Sequence, residues 1–490
     1  MASRLIHKAT YEADNPFDVS LRESFQLLEP QLRPPFPLSI PTKPEYSNLN
    51  HAILYGILCE PHLAQVHIKH LHGIVTDGYC LFTTLLTKTV NELYSKLIKN
   101  VKVQLLLVTS VMIHVSAIGT DGLLVALLRQ THGGDFSESN LWLCLELVNL
   151  FLNKWDFFLE EEPLMLSSAM YVFLRLLADH CRVSLSSNSN LQTLKQKEIE
   201  FCIRVFREQF HLCLKIGRDL IRLLQDLVHV PEFQQIWKDL LLFPSNFKTL
   251  SYSDISQLYQ LRTSSRFFLL RLTPEMETHL RFLLTHVKFG NQTRYQIWFG
   301  RKFLNVENES IVVDIVRFIC CAHHPSNKII LSNVVPRWAV IGWLLTCCSK
   351  VHVQGNVKLA LFYDWLFFRE EVDNVMNIEP GMLLMINSVP KYVEMTHNLL
   401  EFLFLLMDNY DVERKDLIGR GVLCALDVLE RKGVVNSFDG LTCCDVLNPS
   451  LKENLVKLLS RKNESGVCKR VIFPATPELT QSAPDRLGIM

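Results

Sequence analysis

The chain has 490 residues, and its 50 Lys+Arg balance 50 Asp+Glu, so the formal net charge at pH 7 is zero. A molecule of zero net charge is not drawn as a whole to nucleic acid or to an anionic membrane, so any electrostatic specialisation must be local. Hydrophobic residues make up 48% of the chain, as amphipathic helices packed on two sides would require, and the length admits several ordinary domains or one elongated solenoid.

Along the chain, residues 1–47 carry Pro16, Pro30, Pro34, Pro35, Pro37, Pro41 and Pro44. That density predicts a flexible leader with no regular element, and Met1 to Thr10 lacks the apolar core of a secretory signal. Residues 48–461 read as helical nearly throughout. Val103 to Thr120 contains no charged residue, but a span needs ~20 mainly apolar residues, so a buried central helix is expected there and no membrane partner. Glu160, Glu161 and Glu162 stand before Pro163, where acidic residues complement a helix start.

The clearest periodicity follows. Ile199, Cys202, Phe206, Phe210, Cys213, Gly217, Leu220, Leu224 and Leu227 recur at spacings of three or four, while Glu200, Arg204, Glu208, Lys215, Arg218, Arg222 and Asp226 fall on the opposite face. This predicts one amphipathic helix with a buried stripe and a charged solvent face. Gly217 lies on the stripe, where a missing side chain lets a neighbouring backbone approach closely. Further helices are expected to open at Pro231, Pro274 and Pro336, since proline suits the first helical position. Thr273 is the expected cap before Pro274, with Glu275 and Glu277 in the first turn. The helix-turn-helix cadence of roughly 40 residues suits degenerate HEAT-like units. The fold class is therefore all-α, a HEAT-like α-solenoid of stacked antiparallel helix pairs. The segment 462–490, with Pro474, Pro477 and Pro484, reads as a disordered tail.

No motif of catalysis is present: GxxxxGK[ST], GxGxxG, GxSxG and HExxH are all missing. The 14 cysteines form no CxxC. The adjacent pairs Cys320-Cys321, Cys347-Cys348 and Cys443-Cys444 point apart on a helix, so they suit neither zinc nor disulfide. Most of the cysteines lie in apolar runs and read as small core residues in a reducing compartment. His323-His324 precede Pro325 and fit a helix-to-loop corner better than a metal site. The expectation is a protein without enzymatic activity, metal or cofactor.

One local pattern carries chemistry. From Thr278 to Val306 there is no acidic residue, while Arg281, Lys288, Arg294, Arg301 and Lys302 are basic and Phe282, Phe289, Tyr295, Trp298, Phe299 and Phe303 are interleaved. Such a mixture suits single-stranded nucleic acid or an acidic peptide. The same aromatics also follow helical spacing and suit a core with a solvated basic rim. Both readings stay open at this point, and the five basic residues are the candidate partner or nucleic-acid surface.

Several strings add an identification. Lys215 to Leu240 (KIGRDLIRLLQDLVHVPEFQQIWKDL), Arg271 to Gly290 (RLTPEMETHLRFLLTHVKFG), Gln292 to Phe299, His324 to Asn327, Pro336 to Leu345 (PRWAVIGWLL), Lys358 to Phe368 (KLALFYDWLFF) and Asn377 to Pro380 (NIEP) resemble, in the same order, the integrator complex subunit 3 family, also called the SOSS-A family after the SOSS complex, a sensor of single-stranded DNA. The resemblance covers about residues 48–461 and is densest from Leu191 to Pro380.

The resemblance implies a non-enzymatic helical scaffold that binds an OB-fold single-stranded-DNA-binding protein of the SOSS-B type and the small SOSS-C protein. Single-stranded DNA would then be reached through the partner. The implied roles are DNA damage signalling with double-strand-break repair, and small nuclear RNA 3′-end processing with other integrator subunits and, indirectly, RNA polymerase II. The implied compartment is the nucleus, with the cytoplasm second. The alternative is a solenoid that binds RNA or DNA directly through residues 278–306. The family normally continues into a second helical domain implied to mediate self-association and a further integrator contact, so both are expected to be weak here. The first 47 residues show no match.

Overall fold

Local capping chemistry starts the fold. The structure, a computed structural model, describes residues 4–7, 13–36, 40–183, 189–247, 249, 252–304, 308–444 and 446–465. Helix α1 (Pro16–Leu28) is capped by the Asn15 side chain, which accepts from Phe17 N at 2.8 Å and Asp18 N at 3.2 Å. Phe17, Leu21 and Phe25 are buried, and α1 packs on α2 (Lys43–Cys59), where Phe25 meets Tyr55 at 5.2 Å between ring centroids. Arg33 then clamps Glu60 with two bonds of 2.9 Å. The expectation of a leader without regular elements is corrected by this. Pro16, Pro30 and Pro44 stand in the first turns of helices, where a missing N–H leaves nothing unpaired, and they do not interrupt one.

Among the described residues the chain forms 26 α-helices and no strand, an all-α solenoid. Helix α3 (Lys99–His114) is two-faced: Val101, Leu105, Val108 and Met112 are buried, whereas Val103 is 42% exposed. It is therefore not the central helix that its uncharged run suggested. That place belongs to α4 (Pro163–Arg182). Among the described residues, α4 alone is long and apolar enough to cross a membrane, and 89% of that window is buried inside the protein. Phe173 of α4 packs on Phe201 of α5 (Ser189–Glu208) at 5.3 Å and on Phe151 at 6.1 Å, an edge-on aromatic cluster at the heart of the fold.

The long helix expected from Ile199 to Leu227 is broken. Helix α5 ends at Glu208, a helical turn follows at Phe210–Leu214, and α6 spans Asp219–Gln225. Gly217 lies at φ +79° in the break. A Cβ at Gly217 would sit 2.8 Å from the carbonyl oxygens of Leu261 and Arg262, so the close backbone approach is present but at a turn. Thr273 caps α7 (Pro274–His286) through Met276 N at 3.2 Å, as its sequence suggested. After α7 come α8 (Thr293–Phe303), α9 (Ile311–Cys321), α10 (Arg337–Thr346), α11 (Val351–Leu366) and α12 (Val375–Ser388).

The chain divides into two compact units, residues 1–364 with 372–387, and residues 365–371 with 388–490. The second unit is built on α13 (Val393–Asn409), α14 (Lys415–Arg431) and α15 (Pro449–Ser465). Its core includes Leu399, Leu403, Val422, Ala425, Leu429 and Leu458. Gly421 lets α14 approach the main chain at Leu366, whose carbonyl carbon lies 2.7 Å from where a Cβ would stand. Helix α15 runs past residue 462, and the rest of the expected tail, 466–490, lies outside the described residues.

Candidate functional site

The break at Gly217 redirects the side chains that follow it. Arg218 and Arg222, placed on the solvent face by periodicity, are buried. With α6 reset, the Arg218 amide donates to Leu261 O at 2.8 Å. Its guanidinium reaches both oxygens of Asp373, at 2.9 and 3.0 Å, and lies 3.5 Å from Asp364. Arg317 of α9 bridges Asp364 and Asp219, each at 3.1 Å. Arg222 forks onto Asp219 at 3.0 and 2.8 Å, and the Tyr171 hydroxyl donates to the same carboxylate at 2.8 Å.

Three guanidiniums thus face three carboxylates, and the cluster is neutral. A second neutral cluster joins Arg175, Arg271, Asp179 and Asp314. Arg175 lies 2.9 Å from Asp179 and 3.2 Å from Asp314, and Arg271 lies 3.6 Å from Asp314. Burial by itself would raise the Asp219 pKa, but Arg222 and Arg317 outweigh it and hold the carboxyl well below the usual carboxylate range. Asp364 is likewise depressed, by Arg317 and Arg218 against burial. Burial lowers the Arg271 pKa, its distant Asp314 partner compensating only partly, yet a guanidinium remains charged.

A further arginine mends a helix. Pro380 lies inside α12, where its missing N–H cannot bond the Met376 carbonyl one turn back. Arg337 supplies the donor, with Nη2 at 2.9 Å from Met376 O and 2.6 Å from Glu379, and Nη1 at 3.0 Å from Ile319 O. His323 and His324 occupy the corner after α9 as expected. His324 Nε2 lies 3.0 Å from Asn377 Oδ1. Burial and the charges of Arg281 and Arg337 push the His323 pKa down to about 4, so its ring is neutral. Among the described residues, no group of three or more His, Cys, Asp or Glu side chains could hold a metal ion.

The surface candidates divide into two kinds. Arg281 of α7 is paired, with Nε 2.6 Å from Glu277 and its guanidinium 5.3 Å above the Phe318 ring. Lys302 is paired with Glu275 and lies 5.3 Å over both Trp298 and Phe303. Glu277 also binds Arg129 at 2.5 Å, and these two arginines depress its carboxyl against the opposing effect of burial. Lys288, Arg294 and Arg301 are exposed and make no ion pair with any described residue.

The aromatics divide as well. Phe299 is buried, whereas Phe282, Phe289 and Trp298 are 46%, 52% and 40% exposed. Ile297, which the basic-aromatic pattern did not single out, is 51% exposed. Tyr295 joins the exposed rings across α7 and α8, 5.5 Å from Phe282 and 5.4 Å from Trp298 between centroids. Core packing thus accounts for Phe299, and an open aromatic surface accounts for Phe282 and Trp298.

The buried groups bear on identity. Arg218, Asp219 and Arg222 come from the string at Lys215 to Leu240, Arg271 opens the next string, Arg337 lies in Pro336 to Leu345, Asp364 in Lys358 to Phe368, and Glu379 in Asn377 to Pro380. Strings far apart in the chain contribute residues to both charge clusters and supply the helix repair. The sequence model described as Integrator complex subunit 3 N-terminal matches residues 44–457. The chain belongs to the integrator complex subunit 3 family.

Relatives within the family agree with this assignment. The chain is 36% identical to integrator complex subunit 3 of Mus musculus over 420 residues, 86% of this chain and 39% of that protein. Against the Homo sapiens protein it is 36% identical over 421 residues, with 86% and 39% covered. Against the integrator complex subunit 3 homolog of Dictyostelium discoideum it is 40% identical over 408 residues, 83% of this chain and 27% of the other. The chain therefore spans well under half the length of these relatives.

Proposed function

We propose that this chain is a non-enzymatic scaffold component of the integrator and SOSS kind, working in the nucleus with HEAT-like helix pairs as its framework. Its partners in this reading are an OB-fold single-stranded-DNA-binding protein, a small third protein of the same complex and, through further contacts, other integrator subunits with RNA polymerase II. The processes served are double-strand-break repair and small nuclear RNA 3′-end processing. Membership of the integrator complex subunit 3 family carries the proposal. The chemistry of the interior supports it, because buried arginines and aspartates are used on one another to brace helices. An OB-fold is compact enough to dock on a helical scaffold and keep its own DNA groove open.

Co-expression with the OB-fold partner, followed by size-exclusion chromatography at low salt, tests this reading. The two proteins are expected to co-elute, and the complex to bind single-stranded DNA at least tenfold more tightly than this chain alone. Separate elution of two folded proteins overturns it.

The second reading, direct nucleic-acid binding, is favoured by Lys288, Arg294 and Arg301, which are exposed and in no ion pair with a described residue. Three phosphate contacts imply a salt slope no steeper than about −2 to −3. Weak, salt-sensitive binding removed by Arg294→Glu with Arg301→Glu is the outcome expected of the chain alone, and tight binding that survives high salt would displace the scaffold reading.

A further inference from the structure

The outer face of α8 carries a pattern that the family assignment does not use. Arg294, Ile297, Trp298 and Arg301 are spaced three, four and seven apart, which puts them on one stripe of a helix. All four are exposed, while Gln296 and Phe299 on the opposite side are buried. Ile297 and Trp298 form the apolar centre and the two arginines stand at its ends, neither in an ion pair with any described residue. The apolar surface continues through Tyr295 to Phe282 on α7, and the loop leading into α8 adds exposed Lys288 and Phe289. Apolar patches rimmed by polar groups mark interaction sites, and Trp and Arg are over-represented among residues that dominate binding energy.

We infer that this face docks a protein segment with a large apolar anchor flanked by carboxylates. The anchor would cover Ile297 and Trp298, and the carboxylates would reach Arg294 and Arg301, where a planar guanidinium can take both oxygens of one group.

Charge selects this occupant over a nucleic acid. Two of the five basic groups are already neutralised, Arg281 by Glu277 and Lys302 by Glu275, which leaves Lys288, Arg294 and Arg301, too few to track a phosphate backbone but suited to isolated carboxylates beside an apolar anchor. Lys302 lies 5.3 Å over the Trp298 ring and His279 meets it edge-on at 4.6 Å, so a base stacking on that ring would compete with Lys302 for its face. Exposed Ile297 offers an aliphatic contact that a base does not need.

The inference goes beyond the scaffold reading, since it holds whichever protein carries the segment. The test uses fluorescence anisotropy on the full chain. The probes are a labelled Asp-Glu-Leu-Phe-Glu-Asp peptide, its charge-swapped Lys-Arg-Leu-Phe-Lys-Arg counterpart, the acidic peptide with alanines for Leu-Phe, and a ten-nucleotide uridine RNA. The acidic peptide with its anchor is expected to bind at least tenfold more tightly than the other three. Trp298→Ala should weaken it at least tenfold. Arg294→Glu with Arg301→Glu should abolish it and create affinity for the basic peptide, an exchange that a folding defect cannot mimic. Thermal unfolding of each variant should match that of the parent, because these side chains face solvent. No preference for the acidic peptide, tighter binding of the RNA, or failure of the charge exchange overturns the inference, and co-elution with the OB-fold partner is read separately.

Discussion

Gly217 is a single residue on which a large buried structure depends. Its φ of +79° lies in the left-handed region, and the Leu261 and Arg262 carbonyl oxygens stand 2.8 Å from where a Cβ would be. The turn it makes aims Arg218 inward to Asp373 and Asp364. Gly217→Leu is therefore expected to cost at least about 1–3 kcal/mol from left-handed strain and overpacking. Urea unfolding measures this, and an unchanged midpoint would contradict the geometry. The glycine's role in a close approach was legible in its position on the apolar stripe. The turn was not, because an apolar pattern with spacing three and four continues through it and says nothing about the sign of φ.

At the scale of the element, α12 shows how tertiary contacts rescue a helix that its own sequence would break. Pro380 deprives the Met376 carbonyl of its partner, and Arg337 from α10 replaces it while neutralising Glu379. Arg337→Met should cost at least about 3 kcal/mol, since it strands buried carbonyls and a carboxylate together. Pro380→Ala restores an N–H to the helix, so in the double variant the loss should be smaller than the sum of the two single effects. Thermal unfolding of the four proteins of the cycle measures the coupling, and strict additivity would show that Arg337 and the proline act independently. Proline at a helix start was readable from Thr273-Pro274, where cap, proline and acidic first turn agree. Proline inside α12 was not readable, because its tolerance depends on an arginine 43 positions away.

On the scale of the whole molecule, the buried ion pairs make stability depend on pH. Asp219, Asp364 and Asp179 are held below the ordinary carboxyl value, burial being outweighed by Arg222 and Arg317 for the first, by Arg317 and Arg218 for the second and by Arg175 for the third. A carboxyl whose folded pKa lies below its unfolded value of about 3.9 stabilises the fold fully above that value, and the contribution is lost as pH falls through the folded pKa. Stability should thus be insensitive to these groups near neutrality and fall below about pH 4, each contributing up to ~1.4 kcal/mol per pH unit. Urea midpoints between pH 7 and pH 2.5 test this, with Asp364→Asn showing a shallower acid slope than the parent protein. Equal slopes would mean that Asp364 titrates alike in the folded and unfolded chain.

The sequence by itself determined the all-α class, the capped helix start at Thr273-Pro274, the family and the basic-aromatic segment at 278–306. Each of these rests on residue types within one or two helical turns, or on long strings in a set order. Only the tertiary structure decided which charged residues face water. Arg218 and Arg294 both sit among apolar neighbours at helical spacing, yet the first is sealed against two aspartates from distant segments and the second is exposed. It likewise left Lys288, Arg294 and Arg301 available while tying Arg281 and Lys302 to glutamates. Periodicity reports how a helix divides its own surface, whereas burial is fixed by what packs against it, and ion pairs joining residues more than a hundred positions apart leave no local trace.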